Sequence, residues 1–96
     1  MSADYSVIGL CRRAGRLAVG HDAVIEAVRK GSAKLILLTS DASPRHEREI
    51  RALDGEIEIR KFEDDSNTVG YSAGKRACVF AVTDAGFAAC ILKKTR

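Results

Sequence analysis

The amino-acid sequence predicts an α/β fold in which a single β-sheet is packed between helices. Two continuous apolar runs, Leu35–Leu38 and residues 77–82, have the composition of strands covered on both faces. Around them lie segments with helical spacing of apolar residues, opened or closed by capping residues, a proline or glycines. Because helices alternate with strands over only 96 residues, the chain has room for one sheet and one core.

The composition is that of one globular domain spanning residues 1–96. Apolar residues make up 46% and charged residues 30%, and the net charge of +3 indicates a polyanionic partner only if the basic side chains share one side. Neither a signal peptide nor a membrane span is recognisable, which predicts a cytoplasmic protein. Cys11, Cys78 and Cys90 are odd in number and far apart, so we interpret them as reduced core thiols.

The first helix is predicted to begin at a cap, Asp4 or Ser2, and to end before Gly15. Its expected buried face consists of Val7, Leu10, Cys11 and Ala14. Three arginines gather near its C-terminal end: Arg12, Arg13 and Arg16. They either only complement the helix dipole or form one wall of a phosphate-binding surface beside Gly20.

The second helix is predicted to begin at Gly20, after the short apolar segment Leu17–Val19, and to end at Gly31. A glycine at a helix start lets another backbone approach the unpaired N–H groups, which together with the helix dipole form an anion site. Gly20 either serves phosphate binding in this way or only ends a turn.

The third helix is predicted to start at Ser43-Pro44, an N-cap followed by proline at the first helical position, and to run to Leu53. It is mostly charged, with Ile50 and Leu53 as its apolar anchors. His46 lies among charged neighbours, and we interpret it as plain solvated surface without a partner for nucleophilic or metal chemistry. Residues 56–60 alternate with period two and predict a half-exposed strand at or near a sheet edge.

The acidic residues 63–65 suit the start of a fourth helix through Val69, and we interpret them as capping charge rather than a metal cluster. Residues 70–76, GYSAGKR, are predicted to close this helix and form a small-residue loop with two cations at its tip. Thr83-Asp84 caps a last helix, whose apolar anchors are Phe87, Ile91 and Leu92.

Several segments, in this order and spacing, carry a resemblance to a known family. They are GLCRRAGRLAVG at residues 9–20, AVRKG followed by Ala33-Lys34-Leu35, SDASP at residues 40–44, the loop of residues 70–76, and VTDAGF at residues 82–87. The chain resembles the kink-turn RNA-binding family of ribosomal proteins L7Ae and L30e, in particular its small bacterial members of the YlxQ and YbxF kind. The resemblance covers nearly the whole chain. It implies a three-layer α/β/α sandwich with a mixed four-stranded sheet.

The resemblance also implies a function. We expect a monomeric, non-catalytic, ribosome-associated protein that binds structured RNA, either ribosomal RNA or an mRNA leader, without a cofactor, a metal or a membrane. The RNA face would be built by the Gly20 helix start, the turn before it and the loop around Gly74. The residues expected to contact RNA are Arg16, Gly20, His21, Asp22, Glu26, Lys34, Ser72, Ala73, Gly74, Lys75 and Arg76.

These residues have distinct expected roles. The backbone N–H groups of Gly20 and His21 would hold phosphate together with four cations, Arg16, Lys34, Lys75 and Arg76. Asp22 would read a base edge, because a carboxylate accepts hydrogen bonds from the amino groups of guanine or cytosine. His21 would stack on a base or bind phosphate when protonated. Residues 72–74 would lie flat against an extruded nucleotide.

The first turns of the second helix depart from the family pattern. Kink-turn binders usually follow the glycine with a small residue, asparagine, glutamate and, three further on, lysine. Here His21, Asp22, Ala23 and Glu26 stand at those positions, and Ala18 and Val19 stand where two basic residues are common. Asp22 and Glu26 stabilise a helix start but repel phosphate.

Two other classes of function compete with RNA binding. A protein-interaction adaptor on the same fold would account for the departures and would bind its partner without a strong dependence on salt. An enzyme is disfavoured because no nucleophile–base pair, nucleotide phosphate loop or metal-ligand cluster is recognisable in the sequence.

Overall fold

A computed structural model describes residues 5–53 and 57–94 of the chain. Helices and strands alternate along it. In chain order the elements are α1 (Ser6–Arg13), β1 (Leu17–Val19), α2 (His21–Arg29), β2 (Leu35–Leu38), α3 (Pro44–Arg51), β3 (Glu58–Lys61), α4 (Ser66–Ala73), β4 (Val79–Val82) and α5 (Ala85–Lys94).

The four strands form one mixed sheet in the order β1-β4-β2-β3. The two apolar strands lie at its centre, where β2 runs antiparallel to β4 and Leu35 pairs with Val82. β3 runs parallel to β2, and β1 runs antiparallel to β4. The predicted mixed four-stranded sheet is confirmed, as is the place of β3 at an edge.

Helices cover both faces of this sheet, which confirms the three-layer α/β/α architecture. Leu35 and Leu37 of β2 point into one core with buried residues of α1, α4 and α5, whereas Ile36 and Leu38 point into a second core with residues of α2 and α3. Every residue of β2 and β4 is therefore buried, as their continuous apolar composition predicts.

The buried face of α1 differs from the prediction. Leu10 is 50% exposed and Ala14 is also exposed, whereas Ile8 and Gly9 are buried. An added Cβ at Gly9 would lie only 3.4 Å from the carbonyl oxygen of Ser72 on α4. This close helix contact turns Ile8 inward and leaves Leu10 on the outside.

The helix caps mostly follow the prediction. The Ser43 hydroxyl accepts from the His46 N–H at 3.1 Å with Pro44 at the first helical position, and the Asp84 carboxylate accepts from the Phe87 N–H at 2.9 Å. Asp65 caps α4 through Thr68. The N-cap of α1 is Tyr5, and the predicted caps Asp4 and Ser2 lie outside the described residues.

Three element boundaries differ from those predicted. α3 ends at Arg51, although Ile50 is buried as expected and Leu53 packs against the same core. α4 continues beyond Val69 to Ala73, so Gly70 is helical. β4 begins at Val79 and not at Ala77. Glu56, the predicted start of the edge strand, lies outside the described residues. Among the described helices, none combines the length and apolar character needed to cross a membrane.

Candidate nucleic-acid interface

Gly20 provides an open start to α2. It is the N-cap, with φ 100° and ψ 163°, and no side chain caps the helix there. Non-glycine residues rarely adopt this φ, yet an added Cβ would meet no atom within 4 Å. The glycine is required by its backbone conformation, and the space around it is free.

The unpaired amides at this helix start belong to residues 21–23 and not to Gly20. The N–H of Gly20 donates to the carbonyl oxygen of Val79 at 3.0 Å, and the Gly20 carbonyl accepts from Val24 at 3.0 Å. The expectation that the Gly20 N–H holds phosphate is therefore wrong. The first-turn amides of His21, Asp22 and Ala23 have no acceptor in the described part of the chain. They retain the capacity to bind an anion.

The first two turns of α2 present acidic side chains to solvent. Asp22 and Glu26 are both exposed, and Glu26 forms an ion pair with Lys30 at 3.4 Å. His21 is half-buried. A phosphate at the α2 start would thus meet favourable amides and unfavourable carboxylates within one turn.

Two of the predicted cations, Arg16 and Lys34, lie away from Gly20. The Lys34 N–H donates to the Val82 carbonyl at 2.7 Å, and the Arg16 carbonyl accepts from the Thr83 N–H at 2.9 Å, so both lie where β4 ends. Gly20 lies where β4 begins, about 13 Å away along the strand. We call these the Arg16 end and the Gly20 end of the sheet. The prediction that Arg16 forms a wall beside Gly20 is wrong, because β1 separates the two residues by its full length.

The predicted loop is mostly the last turn of a helix. Ser72 and Ala73 belong to α4, and the Ala73 side chain is fully buried. Gly74 follows as a left-handed C-cap with φ 80°, and an added Cβ there would lie 2.6 Å from Nε of Arg12. The Ala73 side chain faces the core and is closed to a nucleotide, whereas contact of Ser72 and Gly74 with a nucleotide stays a prediction.

Lys75 and Arg76 are exposed in the turn after α4. This turn folds back on the helix so closely that a Cβ at Gly70 would lie 2.8 Å from Cα of Arg76. The Arg76 Nε donates to the Ser66 hydroxyl at 3.2 Å. Because the chain continues to Cys78, whose carbonyl accepts from the Thr39 N–H, the turn leads back to the Gly20 end.

A polar network holds Arg76 in place, and no local pattern in the sequence predicts it. The carboxylate of Asp41 accepts from the Thr39 hydroxyl at 2.6 Å, the Ser66 N–H at 2.9 Å and the Ser66 hydroxyl at 2.7 Å. Thr39 and Ser66 are buried, whereas Asp41 is exposed. The hydrogen bond from Thr39, followed by that from Ser66, lowers the pKa of Asp41. Asp41 thus remains ionised and anchors the residue that orients Arg76.

His46 is exposed as predicted, but the interpretation that it lacks a partner is wrong. Its ring stacks on that of His21, with centroids 5.0 Å apart, and Glu49 lies beside the pair. The two histidines are 25 residues apart and come together only because α3 packs next to the start of α2. Helical spacing alone relates His46 to Glu49.

Comparisons with known proteins agree with this architecture. The sequence model of the "Ribosomal protein L7Ae/L30e/S12e/Gadd45 family" matches residues 3–92. The chain is 38% identical to the RNA-binding protein YlxQ of Bacillus subtilis, over 88% of this chain and 86% of that protein. It is 33% identical to YlxQ of Enterococcus faecium, over 95% of this chain and 85% of the relative.

A solved structure of a protein of unknown function from Bacillus halodurans superposes with a TM-score of 0.84 at 29% identity, covering 93% of this chain and 92% of that one. The Giardia lamblia 15.5kD RNA binding protein shares the fold, with a TM-score of 0.73 at 15% identity, over 95% of this chain and 82% of that one. Because the family match spans almost every described element, the chain belongs to the ribosomal protein L7Ae/L30e/S12e/Gadd45 family, as a bacterial YlxQ-like member.

Proposed function

We propose that this chain is a non-catalytic RNA-binding protein that contacts structured RNA through the Gly20 end of the sheet. The observation that carries the proposal is the uncapped start of α2, where three backbone N–H groups follow a positive-φ glycine with open space above it. Such a site suits a phosphate oxygen. Two YlxQ relatives bear the name RNA-binding protein, which favours RNA as the source of that phosphate.

Arg76 at the same end, with Lys75 beside it in the turn, strengthens the proposal. Lys75 and Arg76 are exposed, and the hydrogen bond to Ser66 fixes the Arg76 side chain. A guanidinium held by one hydrogen bond retains other N–H donors for phosphate. His21 has a half-buried ring at the helix start with His46 stacked on one face, so a base would stack on the other face. The exposed Asp22 can accept from a base amino group.

We further propose that the bound RNA contains a kink-turn and is part of ribosomal RNA or an mRNA leader. The protein would then act in the cytoplasm, on or near the ribosome. Its support is family membership, including relatives named large ribosomal subunit protein eL30, such as that of Spodoptera frugiperda at 28% identity. The exposed carboxylates of Asp22 and Glu26 weaken phosphate binding relative to the usual family pattern.

The two ends of the sheet allow a test with a matched control. The double variant Lys75→Ala/Arg76→Ala removes two positive charges from the turn that leads to the Gly20 end, and Arg16→Ala/Lys34→Ala removes two at the Arg16 end. Titrations against a kink-turn RNA at several salt concentrations give the slope of log affinity against log salt. The steepness of that slope decreases by roughly 0.7 to 0.9 for each protein–phosphate ion pair that a substitution removes.

We expect the first variant to flatten the slope and the second to leave it close to that of the parent. Equal flattening by both variants would contradict the assignment to the Gly20 end. A parent slope near zero would instead favour the adaptor function, in which a protein partner binds this fold. Circular dichroism of both variants checks that the fold is retained.

A further inference from the structure

His21, His46 and Glu49 form a cluster of metal-ligating groups between two helices. Each residue offers one ligand atom, and these atoms all lie within 4.8 Å of one another. His21 is the first residue of α2, whereas His46 and Glu49 lie three residues apart on one face of α3. The cluster therefore joins elements distant in sequence, and rigid helices supply all its members.

One atom of this cluster is buried without a partner. Nε2 of His21 is inaccessible to solvent and makes no hydrogen bond within the described residues. Its nearest anionic neighbour is Oε1 of Glu49 at 3.8 Å, which is too long for a hydrogen bond. A buried polar atom usually has a hydrogen-bond partner or a metal. An ion bound within the cluster would be such a partner for this nitrogen.

The chemistry of the three groups fits a borderline transition metal. Two imidazole nitrogens and one carboxylate oxygen are the protein ligands of one well-known kind of zinc site, whose fourth position is open to water. Ligand atoms about 2.0–2.1 Å from a tetrahedral zinc lie about 3.3 Å from one another. The present separations, up to 4.8 Å, exceed this value, so binding requires the exposed side chains of His46 and Glu49 to rotate toward His21.

We propose that His21, His46 and Glu49 bind a zinc-type divalent cation that ties α3 to the start of α2. The ion would accept the unpartnered Nε2 of His21 as a ligand and neutralise Glu49. It would complete its coordination with water. This site shares His21 with the RNA-binding surface proposed above but takes a different ligand, and it needs no RNA to form.

Calorimetric titration of zinc chloride into the untagged, reduced, RNA-free chain tests the proposal. We expect one zinc per chain, and at a hundredfold excess over Kd a rise in Tm of roughly 10 °C. The chain has only two histidines, so their imidazole NMR signals report directly on both nitrogen ligands. Both sets of signals should shift together.

His46→Ala and Glu49→Gln remove ligands from exposed positions, so neither should prevent folding. We expect each to weaken zinc binding at least tenfold and to reduce the Tm rise. Arg45→Ala, an exposed neighbour on α3, is the matched control and should bind as the parent does. Binding of cobalt(II) tests whether the cysteine thiols are the metal ligands instead, because thiolate ligation gives an intense near-ultraviolet band. That band, the absence of saturable zinc binding, or equal affinity of His46→Ala and the parent would each overturn the proposal.

Discussion

Replacing Asp41 by alanine tests how much the polar network that holds Arg76 contributes to the stability of the fold. The substitution removes three hydrogen bonds, of 2.6, 2.7 and 2.9 Å, from donors on Thr39 and Ser66. Thr39 is 0% and Ser66 1% exposed, so water does not readily replace the carboxylate at either hydroxyl. The Thr39 hydroxyl retains only a long contact of 3.5 Å with the Cys78 carbonyl.

The size of the effect follows from these contacts. Leaving a buried donor without a partner costs about 1–3 kcal/mol, and two hydroxyls are affected. Because Asp41 itself lies at the surface and water enters its place in part, we take the lower half of that range for each. The expected decrease is about 2–4 kcal/mol of unfolding free energy, or about 8–32 °C in Tm for a chain of this size.

Urea unfolding followed by circular dichroism measures this decrease. Asp41→Asn retains an acceptor and should cost about 1 kcal/mol. Glu63→Ala is the matched control, because Glu63 is an exposed acid with no hydrogen bond or ion pair among the described residues, and it should change stability by about 0.5 kcal/mol at most. If Asp41→Ala were as stable as Glu63→Ala, the network would not support the Arg76 turn.

Three further predictions concern RNA specificity, the thiols and pH. The variant Asp22→Asn/Ala23→Glu/Glu26→Lys restores the usual family pattern. Because a good base-edge contact is worth about 1–3 kcal/mol, this variant should bind a kink-turn RNA at least tenfold more tightly than the parent does. An RNA that cannot kink is the control in the titration. Replacing any one of the three cysteines by alanine or valine should leave RNA binding intact and lower the unfolding free energy by about 1 kcal/mol. Burial and the nearby Asp84 raise the pKa of Cys11 to about 11, so this thiol should resist alkylation at pH 8 in the folded protein. The pKa of Asp41 is lowered from its ordinary value of 3.8, so its contribution to stability is present above that pH and is lost as the pH falls below it; acid unfolding of Asp41→Asn should lack this part of the pH dependence.

Periodicity and capping residues in the sequence were sufficient to predict the five helices and the strands β2, β3 and β4, whereas β1 was recognised only as a short apolar segment. The continuous apolar composition of β2 and β4 predicts central strands because both faces of the sheet are covered, and Ser43-Pro44 predicts a helix start because its geometry is local. The buried face of α1 could not be predicted in the same way. It is decided by the close approach of Gly9 to α4, a contact between residues far apart in sequence.

The candidate site was less predictable than the fold for the same reason. Gly20 was identifiable because a glycine before a helical pattern is a local signal. The separation of Arg16 from Gly20 depends on β1 lying fully extended between them, and the meeting of His21 with His46 depends on how α3 packs. Sequence spacing contains neither fact.

The outer strand β3 has a consequence for how partners reach this protein. Charged side chains occupy most of its length, and Lys61 and Arg60 form ion pairs with Glu47 and Glu58 at 3.0 and 2.9 Å. A peptide that extended the sheet there would have to separate these pairs and bury their charges, which natural sheets use as a barrier to strand addition. β3 is therefore a poor place for a partner strand to add or for aggregation to begin.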